Sequence, residues 1–292
     1  MRKETGMAIT VLSAILFGIA PTILKLTYNN NNSSLNAVFL RSLVVLPFLF
    51  APLHYKKLQI IPAREELKLI VSKAGLGLGV TGILLSASYI FIPVGIATVL
   101  HFAYPAVVAL LGWTLYKEKL NPSKVIALVL CIIGIGLFFE PAGNLDIRGI
   151  ILALLSGCTF AYYVQSLSKT KLKEMNLFRL TFYTNCMSTL VSGVAAGVSG
   201  TINFRLSMGT WLLLILGGIM VSLLGTTLFQ LGVRSLGSLT ASILSTLEPI
   251  TSVVISILVL GETLTYAKWG GCIVILISVI YISLAETGKV RI

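Results

Sequence analysis

Ten stretches of this chain are nearly free of charge and rich in Leu, Ile, Val, Ala and Gly, and short polar segments separate them. They cover residues 7–27, 35–53, 69–92, 96–116, 123–139, 147–167, 177–199, 208–232, 239–260 and 266–285. Roughly 20 apolar residues rising 1.5 Å each cross about 30 Å of hydrocarbon, so each stretch predicts one membrane-spanning helix. Several are preceded by residues whose side chains satisfy first-turn N–H groups: Ser34, Asn121 followed by Pro122, Asp146, Asn176, Ser207, Ser238 and Thr265. The leading Met-Arg-Lys-Glu-Thr-Gly runs straight into the first stretch with no Ala-x-Ala-like cleavage site. The first stretch therefore predicts a spanning helix and not a cleaved leader.

Composition sharpens this picture. The chain is 56% hydrophobic and 11% charged, far from the balance of water-soluble domains. So few charges cannot coat a soluble fold of this length, and hydrocarbon must be the main solvent. The net charge of +12 sits in short Lys/Arg clusters between the apolar runs, with no basic face, so no nucleic-acid partner is expected.

Topology explains the clusters instead. With the N-terminus placed inside, 17 Lys and Arg residues fall in inner segments and three, Arg148, Arg205 and Lys268, in outer ones. The positive-inside rule then puts both termini in the cytoplasm, as expected for a multi-pass protein of a bacterial inner membrane. Lys25 and Arg41 fall within helices. The outer tract Asn31-Asn32-Ser33-Ser34 contains glycosylation-type triplets. The longest polar connection, 54–68, is too short for a domain, and no GxxxxGK[ST] loop is present to hold ATP. Cys131, Cys158, Cys186 and Cys272 each lie inside an apolar run, form no CxxC pair, and read as packing residues without metal.

The sequence also repeats itself. Tyr104-Pro105 lies mid-helix ahead of Glu118-Lys119-Leu120, and Glu248-Pro249 lies mid-helix ahead of Glu262-Thr263-Leu264, both at an offset of 144. The same offset sets Ala97 on Ala241, Thr98 on Ser242, His101 on Ser245 and Gly112 on Ser256. An offset of 143 sets Gly6 on Gly149 and Phe17 on Phe160. The chain thus divides into repeats at 1–144 and 145–292. Five helices is an odd number, so the second repeat enters the membrane from the opposite side. The expected fold is all-α, with ten transmembrane helices in two inverted five-helix repeats. That symmetry places a site near the midplane and lets one structure face either side by exchanging the conformations of its halves.

These residues resemble the EamA-type branch of the drug/metabolite transporter superfamily. The resemblance rests on Leu16-Phe17-Gly18 followed by Lys25, Phe39-Leu40-Arg41, Tyr104-Pro105 with Lys117-Glu118-Lys119-Leu120, Leu247-Glu248-Pro249 and Leu260-Gly261-Glu262. It covers essentially the whole chain. It implies a basket-like fold around a central cavity lined by helices 1, 3, 4, 6, 8 and 9, with 5 and 10 peripheral. It also implies alternating-access transport of metabolites, commonly export of amino acids. The chain departs from the usual pattern in having Phe17 before Gly18 where the family has Trp, and Ser168 where a second-repeat copy of Lys25 would stand.

Ionisable groups within spanning helices are costly and mark functional candidates. Glu248 lies near the midplane, the only carboxylate at that depth. It reads either as a proton- or cation-binding group or as a structural carboxylate bridging the kink at Pro249. His101 and Tyr104 share a helix face and offer a titratable donor–acceptor beside an aromatic wall; helix contact is the alternative. Lys25 could attract carboxylates or snorkel outward, and Arg41 could do the same. Tyr89, Tyr163, Gln230 and Ser245 complete the candidate cavity set, with Glu248 and His101 as candidates for proton coupling. Pro21, Pro105 and Pro249 are expected helix kinks.

Three function classes fit such a chain unequally. A secondary carrier exporting a small amphipathic metabolite such as an amino acid leads, and a multidrug-type efflux carrier is its variant. An intramembrane enzyme acting on a lipid or isoprenoid phosphate would gather acidic or His residues for metal or acid–base work. This chain has one aspartate, Asp146, and two distant histidines, His54 and His101. A channel would need rings of like side chains. The expectation is a non-enzymatic monomer or homodimer that needs a small-molecule substrate and the lipid bilayer, and no cofactor.

Overall fold

The computed structural model describes residues 2–28, 32–138, 146–260 and 265–288, and these are helical almost throughout, with no strand among them. The helices are α1 (Lys3–Tyr28), α2 (Ser34–Tyr55), α3 (Arg64–Leu69), α4 (Val80–Ser88), α5 (Val94–His101), α6 (Tyr104–Tyr116) and α7 (Pro122–Gly136). They continue as α8 (Ile147–Lys169), α9 (Leu177–Val198), α10 (Met208–Gly217), α11 (Thr226–Leu236), α12 (Ser238–Leu244), α13 (Leu247–Leu260) and α14 (Tyr266–Glu286). Among the described residues, eight helical stretches of at least 18 residues are apolar enough to cross a membrane. Pro122–Gly136 is a shorter apolar helix. The α9 helix spans 22 residues but carries Arg179 and Asn185, which dilute its apolar character. This is a multi-pass, all-α membrane protein.

Two of the rods contain π-helical segments, Ile70–Gly79 between α3 and α4 and Gly218–Gly225 between α10 and α11. Glycine is frequent in both, and the wider π turn tolerates it where a neighbouring helix presses close.

Helix ends follow local chemistry. Asn121, Asp146, Asn176 and Ser207 each accept a hydrogen bond from a first-turn N–H, as their positions predict. At α2 the capping residue is Ser33, which accepts from the Asn36 N–H, and not Ser34. Thr265 caps α14 by position without a side-chain bond. Ser238 does not cap α12: Gly237, at φ 86, turns the chain there and the Ser238 hydroxyl is spent on Gln165. In the outer tract Asn32 is 3% exposed and accepts from Asn36 Nδ2 at 2.7 Å, a buried place that no glycan could reach. Asn31 lies outside the described residues.

The packing pairs helices across the chain's midpoint. α2 lies along α9, and α7 along α14. α1 packs on α11 and α13, while α8 packs on α4 and α6. Cys131 and Cys272 are buried, as packing residues should be, Cys186 is half-buried, and Cys158 faces outward. The largest buried cluster draws on α6, α7, α8, α9, α11, α12 and α14. The groups that interrupt the rods lie against this core.

Candidate functional site

Two rods break in their middles. The helix beginning at Val94 stops at His101 and restarts at Tyr104, and the one beginning at Ser238 stops at Leu244 and restarts at Leu247. Proline is the local cause. Pro105 has no N–H to give the carbonyl of His101, and Pro249 has none for that of Ser245. The Ser245 carbonyl instead accepts from the Glu248 N–H at 3.0 Å. The His101 carbonyl faces Gly157 of α8, where a Cβ would come within 2.8 Å of its oxygen. Likewise a Cβ on Gly18 of α1 would lie 2.6 Å from the Glu248 carbonyl oxygen. Both breaks are thus held by a helix that approaches closely because it carries no side chain there.

Around the breaks, aromatic rings from four rods touch. Tyr104 meets Phe160 edge-on, with centroids 4.8 Å apart. His101 lies 5.5 Å from Phe160 and 5.7 Å from Tyr104. Phe160 stacks on Phe229 at 5.8 Å, and Phe229 reaches Phe17 at 6.3 Å. Such offset and edge-on contacts stabilise a packed aromatic wall beyond simple burial.

Polar groups line the same region. His101 Nδ1 is 2.8 Å from the Ser156 hydroxyl, which donates to the Ala153 carbonyl. The Tyr104 hydroxyl donates to the Ser242 carbonyl at 3.4 Å, on the half-helix that leads into Ser245 and Glu248. Gln230 donates to the Tyr163 hydroxyl at 2.8 Å and accepts from Thr181 at 2.9 Å. Glu248 is half-buried. No donor among the described residues bonds its carboxylate.

The structure therefore packs His101 on Tyr104 and ties Tyr104 to the rod that carries Ser245 and Glu248, with Tyr163 and Gln230 as a further bonded pair. Tyr89 stands apart, packed on a separate apolar cluster around Ile92 and Ile96. Arg41 is half-buried on α2, its carbonyl facing Gly218 and its stem facing Gly217. Pro105 falls in the first turn of α6, Pro249 is the third residue of α13, and α1 runs on unbroken through position 21. The side chains of Pro21, Lys25 and Ser256, and the whole of Glu262-Thr263-Leu264, lie outside the described residues. Among the described residues no three His, Cys, Asp or Glu side chains converge as metal ligands.

Phe229, Ser156, Ser242 and Thr181 were not distinguished by the sequence pattern. The match of Phe17 to Phe160 across the repeats was the signal for two of the rings, and Phe229 adjoins Gln230 in sequence. Chemically, the set can stack an apolar or aromatic body, and its one carboxylate can accept from an ammonium group or hold a proton.

A sequence profile of the EamA-like transporter family matches residues 4–139 and 147–284. The chain belongs to that family. Among EamA-like relatives, an uncharacterized transporter of Archaeoglobus fulgidus is 31% identical over 283 residues, covering 94% of this chain and 95% of its own length. The threonine/homoserine exporter RhtA of Salmonella typhimurium is 27% identical over 235 residues, covering 78% of this chain and 74% of its own. A crystal structure with 12% identity superposes with a TM-score of 0.82 over 96% of this chain and 99% of that one, so the two share a fold.

Proposed function

We propose that this EamA-like transporter is a secondary carrier that exports or exchanges a small amphipathic metabolite, an amino acid or a similar compound, by alternating access. The observation that carries this reading is the hydrogen bond from Tyr104 to the Ser242 carbonyl, which joins two proline-broken rods, the second of which carries Ser245 and Glu248. Interrupted helices near the midplane are where carriers of inverted-repeat design bind their substrates. In this reading the fold is ten spans in two inverted repeats, 1–144 and 145–292. Support comes from the paired breaks, the paired π segments and the separate profile matches to each half. The threonine and homoserine for which RhtA is named favour amino acids over larger drugs.

The Lys and Arg bias favours an orientation with both termini in the cytoplasm of a bacterial inner membrane. Glu248, with His101 nearby, is the proton-coupling candidate. Its ammonium-accepting and proton-holding roles exclude one another at any instant, which is the competition an exchanger needs.

The test is uptake of a pooled, labelled metabolite library into proteoliposomes, with and without a pH gradient, comparing the wild type with Glu248→Gln. The expected result is transport of an amino-acid-like solute by the wild type and loss of its response to the gradient in the variant. Equal transport by both proteins at every pH removes Glu248 from coupling. Failure of the folded wild type to move any solute overturns the carrier reading.

A further inference from the structure

The two broken rods are unequal in their surroundings. In α12 and its junction, every residue from Ser238 to Thr246 is buried. In its counterpart α5 and its junction, Ile96, Ala97 and Phe102 are buried, but the four residues between them, Thr98, Val99, Leu100 and His101, are all partly exposed. If the halves are alternatives of one another, as the proposed carrier reading holds, this difference is a difference of state: the face carrying α12 is shut while the face carrying α5 is loosened.

A compact knot of side chains holds the shut face. α6 ends where Lys117 takes a left-handed conformation, φ 51, and the Glu118 N–H turns back to cap the Gly112 carbonyl at 3.0 Å. This folds the Glu118 carboxylate over α6 toward α8, where it pairs with Lys169. Gln165, one turn earlier on α8, donates to the Val108 carbonyl at 3.2 Å and accepts from the Ser238 hydroxyl at the start of α12. The two groups crowd one spot, since a Cβ on Gly112 would come 2.5 Å from Glu118 Oε2 and 2.6 Å from Gln165 Nε2. Glu118 belongs to the first half of the chain, and Lys169, Gln165 and Ser238 belong to the second. The knot therefore ties half to half.

We propose that the Glu118–Lys169 pair, backed by Gln165 and Ser238, is a releasable latch that keeps this face closed and must open for the carrier to turn. Its chemistry suits repeated opening. Both charged side chains keep about a third or less of their surface exposed, 32% and 27%. A cavity of ≈ 220 Å³ lined by Glu118, Lys119, Lys124, Gly237 and Ser238 lets water meet the separated charges. Partly solvated ion pairs are weak enough to exchange for water, unlike fully buried ones. A second contact, Glu286 with Lys3, Lys124 and Thr240, joins the ends of α14, α1, α7 and α12 at the same face.

The experiment reads access and not transport. One cysteine at a time is added to a full chain in which Cys158 and Cys186 are replaced by serine, by Ser242→Cys on α12 or Thr98→Cys on α5, and labelling by a small hydrophilic maleimide is followed in micelles, with the chain lacking the added cysteine as background. The expected pattern is fast labelling at 98 and slow labelling at 242. Adding Glu118→Gln or Lys169→Met should raise the rate at 242 roughly 5- to 10-fold and lower it at 98, the change that follows when about one weak interaction is removed from a balanced two-state equilibrium. The exchanged pair Glu118→Lys with Lys169→Glu should restore the original pattern, which a merely misfolded single variant could not do. The latch is overturned if the rate at 242 is unmoved in both single variants, or if the exchange fails to restore it in a protein that remains monodisperse. Correct labelling without any solute transport would instead keep the latch and remove the carrier reading.

Discussion

The Tyr104 hydroxyl donates to the backbone carbonyl of Ser242 at 3.4 Å, so the first residue after one helix break is tied to the half-helix that precedes the other. The two residues are 138 apart in sequence and belong to opposite halves of the chain. One neutral hydrogen bond between fully buried partners couples the two breaks, and the same ring packs on His101 and Phe160.

Tyr104→Phe keeps this ring and deletes the bond. A net loss of ~0.5–1.5 kcal/mol is expected, at the lower end because the bond is long. Thermal unfolding in detergent measures it. A variant as stable as the wild type would show that the bond contributes nothing to joining the halves.

Gln230 is 0% exposed and holds the Tyr163 and Thr181 hydroxyls at once. Gln230→Leu fits the volume but takes the donor from the buried Tyr163 hydroxyl, while Thr181 keeps the Leu177 carbonyl, and should cost ~1–3 kcal/mol of stability. Tyr163→Phe removes one partner only and should cost less. The reverse order in melting temperature would sink this account of the network.

Gly18 and Gly136 make a matched contrast. A Cβ on Gly18 would lie 2.5 Å from Thr251 Cβ and 2.6 Å from the Glu248 carbonyl, whereas nothing lies within 4 Å of one on Gly136. Gly18→Ala should force α1 from α13 and destabilise by ~1–3 kcal/mol, as overpacking does. Gly136→Ala should be neutral or stabilising, by up to ~1 kcal/mol, because alanine orders a helix more cheaply. Equal effects of the two substitutions would contradict the close approach of α1.

Asp146, the only aspartate in the chain, caps α8 and pairs with Arg148 at 2.6 Å. The hydrogen bond from Arg148 holds its carboxyl below the ordinary aspartate value. Because the folded-state value is the lower one, its stabilising contribution is present above the unfolded aspartate range and is lost as pH falls through the folded value. Carbon-13 NMR of protein labelled at aspartate alone should give a single carboxyl titration with a depressed midpoint, and Arg148→Ala should move it upward. A midpoint unchanged by Arg148→Ala would refute the pairing.

Much of the architecture was legible in the chain itself. Apolar runs of spanning length, separated by Asn, Asp and Ser caps, marked the rods, because a helix in lipid must satisfy its backbone internally and has few other ways to end. The misplaced cap at Ser34 was a choice between neighbouring serines, which only backbone dihedrals separate. The spacing of Tyr104-Pro105 and Glu248-Pro249 announced both breaks, since a missing N–H acts locally. That Tyr89 packs beside Ile92 and Ile96 could not be read from its depth in the membrane, which says nothing about the direction a side chain faces.

The sequence by itself determined the lipid solvent, the helical class, the family and the two proline breaks, all consequences of local or compositional physics. Only the tertiary structure decided which groups meet: that Phe160 bridges Tyr104 to Phe229, that Gln165 reaches Ser238, and that α12 is enclosed while α5 is not. Those depend on the rotation of each helix about its axis and on close approach at Gly18 and Gly157. In a chain whose lipid-facing and inward-facing surfaces are almost equally apolar, no hydrophobic stripe records that rotation.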